Sequence, residues 1–215
     1  WKQNYGKRRP DGSIKTTGKR VSLTTSGDAA FGDAGELVLS NGAVTLNNTA
    51  AHILAAARKS NELTLELIFQ SASGTQRGPA RVLSFSKDAY NRNVTIGQEG
   101  AELRLRLRTP RTGLNGSNPE VRLADVEPDK PFHLLVTYRD GQLQAYLNGR
   151  KTCDDKRVRG DFSNWTAQTW LLGNEATLDR AWKGRIQGFA IHNRHMPPRE
   201  AEARYQAASV PLVAK

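Results

Sequence analysis

Apolar and polar residues alternate with period two over much of the chain, and glycine-containing corners interrupt the alternation. In Asn61 to Gln70, Leu63, Leu65 and Leu67 share one face while Glu62, Thr64 and Glu66 share the other. In Ala101 to Thr109, Leu103, Leu105 and Leu107 alternate strictly with Arg104, Arg106 and Arg108. Strand side chains point to opposite faces in turn, so each run predicts a strand with one oily face. Phe132 to Lys151 predicts two strands and two tight turns. Leu134, Val136 and Tyr138 face one way before Asp140-Gly141, Leu143, Ala145 and Leu147 after it, and Asn148-Gly149 follows. Asp-Gly and Asn-Gly tolerate positive φ at both central turn positions, which is the strongest short-range hairpin signal. Shorter strands are predicted at Val21–Leu23, Arg81–Ser86, Arg92–Gln98, Val121–Leu123, Gln168–Leu172 and Arg185–His192, with a hairpin of Leu37–Leu39 and Ala43–Leu46 around Asn41-Gly42. Alanine propensity predicts a short helix near 49–58, and Pro197-Pro198 opens another near 197–206. The predicted class is all-β, an antiparallel two-sheet β-sandwich with two short helices.

Charge divides the chain. The net charge is +11, yet residues 1–20 hold seven Lys or Arg against one Asp, so over half the excess sits in a tenth of the sequence. Gly6, Pro10, Gly12 and Gly18 interrupt that segment, which reads as a basic extended arm or linker. Residues 21–207 read as the sandwich domain and 208–215 as a tail. The arm suits an anionic partner (glycan, lipid headgroup or nucleic acid) or simply solvates a linker. A length of 215 residues fits one sandwich. No run approaches the roughly 18 apolar residues of a membrane span, and no leader pattern opens the chain, which begins at Trp1. Cys153 is the only cysteine; that rules out an internal disulfide and a multi-cysteine zinc site, and Asp154 and Asp155 make it a poor thiolate.

Several motifs carry a resemblance. The strand ending Val136-Thr137-Tyr138, the turn glycine, and Tyr146-Leu147-Asn148-Gly149 form one block; Gly160 to Trp165 (GDFSNW), Leu171 to Glu175 (LLGNE), Trp182 and Gly184 form another, followed by Ile186, Ile191 and Arg194. Over roughly Gly35 to Ala207 the chain resembles the laminin G-like, concanavalin A-like jelly-roll family, in the subgroup found as modules of bacterial exported proteins. The resemblance implies a jelly roll, a secreted, periplasmic or cell-surface setting, and a calcium ion at one rim in many relatives, here reachable through Asp140, Asp179 or backbone carbonyls. It implies little about activity, because the family includes lectins, adhesion modules, glycoside hydrolases and spacers. Its members usually begin with an aromatic-x-Phe strand that residues 1–20 lack. The arm, an upstream segment or a partner chain supplies that strand.

Candidate chemistry is sparse. A retaining glycosidase needs two carboxyls about 5–5.5 Å apart. Glu62 and Glu66 lie four residues apart on one face, roughly 13 Å by strand rise, with Thr64 between them. His52 stands alone, and His192 and His195 lack a converging ligand. There is no phosphate-cradling loop, dinucleotide fingerprint or Gly-x-Ser-x-Gly elbow. The strongest candidate is the row Arg104, Arg106 and Arg108, continued by Arg111 and Asn115 in the loop Pro110 to Pro119. Guanidiniums at roughly 7 Å pitch repel unless anions stand among them. Those anions are either Glu62 and Glu66 on a neighbouring strand or an acidic glycan, whose carboxylate or sulfate a guanidinium forks. Phe162, Trp165 and Trp170 are core or rim aromatics, or else platforms for a sugar face. The resulting expectation is a non-catalytic, carbohydrate-binding module favouring acidic glycans, requiring no cofactor beyond a possible structural calcium. The alternative is an assembly subunit held to another protein by its basic arm and an open sheet edge. Basic residues outside the arm are mixed with acids and lack neighbouring stacking aromatics, which argues against nucleic acid.

Overall fold

The computed structural model describes residues 14–16 and 19–213, and the side chains of residues 21–208. In chain order the elements are β1 (Ile14–Thr16), β2 (Lys19–Val21), β3 (Leu23–Ser26), β4 (Ala30–Phe31), β5 (Leu37–Leu39), β6 (Ala43–Leu46) and α1 (Ala50–Ser60). Then follow β7 (Leu63–Ser71), β8 (Gln76–Ser86), β9 (Arg92–Gly100), β10 (Glu102–Leu107), β11 (Val121–Asp125), β12 (Pro131–Arg139) and β13 (Gln142–Leu147). The chain closes with β14 (Arg150–Asp155), β15 (Thr169–Leu172), β16 (Gly184–His192) and α2 (Pro198–Val213). Two seven-stranded antiparallel sheets carry the fold. The first runs β11-β10-β9-β8-β15-β6-β3 and the second β14-β13-β12-β7-β16-β5-β4.

The alternating leucines fill the space between the sheets. Leu65, Leu67, Leu103, Leu105, Leu107, Leu134, Val136, Leu143 and Ala145 all belong to one buried cluster. Phe162, Trp165, Trp170 and Trp182 are fully buried in it, so the sequence motif around Gly160–Trp165 is core and offers no surface ring to a sugar. Phe85 stacks on Trp170 with ring centres 4.4 Å apart, and Phe162 lies 4.3 Å from Trp165. Two indoles reach polar partners, Trp165 Nε1 donating to the Arg108 carbonyl (2.7 Å) and Trp182 Nε1 to Gln98 Oε1 (2.8 Å). Buried indole N–H groups usually find such a partner.

Four sequence expectations are corrected. Leu37–Leu39 and Ala43–Leu46 are not a hairpin: β5 pairs with β16 and β4 in the second sheet, β6 with β15 and β3 in the first. Neither Asn41 nor Gly42 takes positive φ, and Gly42 serves close packing, since a Cβ there would lie 2.3 Å from the Ser26 carbonyl. The arm is not without regular structure. Residues 1–13, 17 and 18, and with them the breaker reading of Gly6, Pro10, Gly12 and Gly18, lie outside the described residues, but Ile14–Thr16 pairs with Lys19–Val21. The second sheet does not bury one face only. β12 is buried on both, because α2 covers Leu135 and Tyr146 with Met196 and Ala201. Finally, α2 continues beyond residue 206 through Val213.

The two predicted turns in the organising stretch differ. β12 and β13 meet at Arg139↔Gln142, and of Asp140-Gly141 only Gly141 has positive φ. β13 and β14 meet at Leu147↔Arg150, and Asn148 and Gly149 both have positive φ (51° and 76°), as a type I′ turn requires.

Candidate functional site

The candidate arginines rise from β10, whose buried Leu103, Leu105 and Leu107 force Arg104 and Arg106 onto the outer face of the first sheet. Glu62 and Glu66 are not their counter-ions, because β7 belongs to the other sheet. Glu120 and Glu102 take that role. Arg104 donates through Nη1 to Glu120 Oε1 and through Nη2 to Glu102 Oε2, each at 2.7 Å, and Arg106 Nε contacts Glu120 Oε2. Burial would raise the Glu120 carboxyl, but Arg104 and Arg106 outweigh it and hold it below the usual carboxylate range.

The row does not extend as a unit. Arg108 follows the end of β10 and is buried, its Nε unpartnered among the described residues, and that burial pushes its guanidinium below its ordinary value. Arg111 is exposed and lines a separate rim pocket of about 460 Å³ with Asn61, Pro110, Asp140, Gly160 and Asp161. Asn115 braces its own loop, its Oδ1 accepting from Ser117 N (3.1 Å) and Oγ (2.7 Å). The structure therefore brings Arg104 and Arg106 together and sets Arg108, Arg111 and Asn115 apart.

The same outer face holds charge that sequence reading missed. Arg104 stands beside Gly97, which stands beside Arg81; Arg106 stands beside Thr95, which stands beside Ser84. Gly97 makes room for Arg81: a Cβ on it would lie 3.2 Å from Arg81 Nη1. Arg81 and Arg92 are 1% and 2% exposed, and Glu175, at 0%, lies between them. The Arg81 Nε–Glu175 Oε2 separation is 3.4 Å and the Arg92 Nε–Glu175 Oε1 separation 3.7 Å. Burial pushes Arg81 down to about 10; Glu175 opposes this, and Arg92, Arg106 and Arg180 add to it. Burial also lowers Arg92. In the sequence Glu175 is only the end of LLGNE, and Arg81 and Arg92 only open strands.

Three large apolar side chains are exposed among the described residues, and the backbone of each lies close to Arg92 or Glu175. Tyr90 is two residues before Arg92, the Leu114 carbonyl accepts from the Arg92 N–H (3.1 Å), and the Leu178 N–H donates to the Glu175 carbonyl (2.9 Å). Tyr90 had gone unremarked because one aromatic in a polar turn has no periodic signature.

Glu62 and Glu66 occupy the other sheet. Glu66 is buried beneath α2, accepting from Arg204 Nε (2.8 Å) and Nη2 (2.5 Å) and lying 2.8 Å from His133 Nε2. Glu62 Oε2 accepts from the His195 N–H at 2.8 Å. Neither opens onto a shared cleft with the other. Among the described residues no three His, Cys, Asp or Glu side chains converge as a metal site would require. Burial, then Asp155 and Asp154, push the Cys153 thiol up to about 11, so it is a poor nucleophile.

An antiparallel two-sheet sandwich is the class that this fold defines. The family model Laminin_G_3, described as the concanavalin A-like lectin/glucanases superfamily, matches residues 40–202, and the chain belongs to that family. No curated protein matches it. Solved structures with a similar fold include the binding domain of botulinum neurotoxin serotype D/C (TM-score 0.66, 12% identity, 90% of this chain and 49% of that one). The serotype DC binding domain in complex with rat synaptotagmin II gives 0.64 and 12%, over 91% and 51%. A structure of botulinum neurotoxin type C, whose cell entry depends on interaction with two ganglioside molecules, gives 0.64 and 13%, over 91% and 50%. The chain spans about half the length of these structures, and at such identity the likeness is one of fold. No helix among the described residues is long and apolar enough to cross a membrane.

Proposed function

We propose that the chain is a non-catalytic recognition module of an exported protein, binding acidic carbohydrate on the outer face of the first sheet and its rim loop. The observation that carries this is the pair Arg104 and Arg106 held by Glu120 on the outer face of the first sheet, with the exposed Tyr90 and Leu114 close in the backbone to Arg92 of the same sheet. Tyr90 offers a ring to the apolar face of a sugar, and guanidiniums offer forked donors to its carboxylate or sulfate. Arg111 and Asn115 belong to the loop after β10, where binding groups commonly sit, and would contribute through that rim. The dependence of a structural neighbour on gangliosides is compatible with such a ligand. An array of acidic and neutral glycans followed by calorimetry tests the reading. Oligouronates or sulfated oligosaccharides should bind, and Arg104→Ala with Arg106→Ala, or Tyr90→Ala alone, should weaken binding by about tenfold, the scale of one lost charge-assisted or stacking contact. No binding at millimolar ligand, or equal binding by the variants, would refute it.

A second reading, an assembly subunit, draws on the edge strands. Among the described residues β3 pairs with a neighbouring strand on one side only, and an unpaired edge is a template for another strand. A mass measurement by light scattering decides this: a complex that loses its partner when residues 1–20 are removed supports it, and a monomer with both forms identical removes it.

A further inference from the structure

The proposal concerns the cluster of Arg81, Arg92, Arg106, Arg180 and Glu175, and it rests on the recognition reading above only for the source of its ligand. Arg81 and Arg92 are two buried cations sharing one buried carboxylate. Both ion pairs are longer than a hydrogen bond. Arg81 Nε, Arg92 Nε, Arg92 Nη1 and both Glu175 carboxylate oxygens have no hydrogen-bond partner among the described residues. The arginines are anchored at their other ends: Arg81 Nη1 donates to the Pro79 carbonyl at 2.7 Å, and Arg92 Nη2 meets the Ala89 carbonyl. The Arg81 N–H donates to the Arg180 carbonyl at 2.9 Å, and Arg106 stands beside Thr95 on the neighbouring strand; their side chains are 33% and 21% exposed, and both repel Arg81 and Arg92. Arg180 Nε is likewise unpartnered, its nearest acid being Asp179 Oδ2 at 3.9 Å.

Buried charge is tolerated when it is matched and hydrogen-bonded, and leaving one member unmatched is strongly unfavourable. Two inner cations against one inner anion leave one positive charge to be met. The floor beneath them is small and polar, Gly97, Thr95 and Ser84, which leaves the guanidiniums room above the backbone. We propose that this cluster is an oxyanion subsite, which takes a carboxylate or sulfate group between Arg92, Arg106 and Arg180 and so supplies the negative charge that the inner arginines lack. Guanidiniums fork both groups. The ligand is either a free oxyanion or the acidic group of a glycan whose ring reaches Tyr90.

The test uses the full chain with sodium sulfate against sodium chloride at matched ionic strength, read by thermal unfolding and calorimetry. Sulfate should raise the unfolding temperature along a saturating curve, as a ligand bound only by the folded state does. Arg106→Gln with Arg180→Gln, both partly exposed positions, should abolish the saturating part while leaving the gradual rise that sulfate gives any protein. Glu175→Gln should bind sulfate at least about tenfold more tightly and regain lost stability from it. A Glu175 that served packing alone would lose stability without saturable rescue. Indistinguishable sulfate curves for the parent and the Arg106/Arg180 variant overturn the subsite, whether or not the Glu175 variant folds. An oligouronate arm separates the two sources. If oligouronate binding falls on Arg104→Ala but ignores Arg180→Gln, the subsite fails and the glycan reading stands. If sulfate saturates and oligouronate does not bind, the subsite takes the free ion and the glycan reading fails.

Discussion

Glu66 shows how far one side chain's role departs from its sequence appearance. On a strand face with Glu62 and Thr64 it read as solvent-facing, or as a partner for the arginine row. It is 1% exposed and meets Arg204, His133 and His192 under α2. Burial would raise its pKa, but hydrogen bonds from His133, His192 and Arg204 hold the carboxyl far below its ordinary range. A carboxyl depressed on folding contributes stability above its unfolded value, roughly 4.3, and loses it as pH falls toward the folded value. Stability should therefore decline below about pH 5, and Glu66→Gln should flatten that decline. At neutral pH the same change should cost about 3 kcal/mol, because it leaves the Arg204 guanidinium without its carboxylate; urea unfolding from pH 7 to 3 measures both. Leu103, Leu105 and Leu107 were legible because period two is a property of neighbouring residues. The Arg81–Glu175–Arg92 cluster was not, because its members lie far apart in the chain and only the register of β8, β9 and the loop after β15 assembles them.

Strand identity was legible and strand partnership less so. Every long alternating run became a strand, and Asn148-Gly149 formed the turn its residues favour. Asn41-Gly42 carries the same dipeptide and instead turns the chain from one sheet to the other. The dipeptide permits a left-handed turn and does not compel one; β5 and β6 each find longer partners elsewhere. A methyl at Gly42 would meet the Ser26 carbonyl at 2.3 Å and the Ala29 nitrogen at 2.4 Å. Gly42→Ala should thus destabilise by about 1–3 kcal/mol through overcrowding at that corner, read as a lower urea midpoint with unchanged slope. A hairpin glycine chosen for positive φ would not make such contacts.

Across the entire sandwich the two outer surfaces have opposite fates. α2 roofs the second sheet over Leu135, Tyr146 and the Glu66 cluster, whereas the first sheet's outer face carries Arg104 and Arg106 without such a cover among the described residues. The weak apolar stripe of α2 concealed its covering role in the sequence, because Arg204 docks as much by charge as by packing. Ending the chain at Pro197 should expose Leu135 and Tyr146, increase binding of a hydrophobic dye and lower stability by at least about 3 kcal/mol, the scale of the broken Glu66–Arg204 pair. The indole of Trp165 is buried at the opposite end of this logic, gripping the Arg108 backbone where the chain leaves β10 for the loop that carries Arg111 and Asn115. The protein thus has a native optical reporter wired to its recognition rim: a ligand that shifts that loop should recolour tryptophan emission from the interior, without any label being attached.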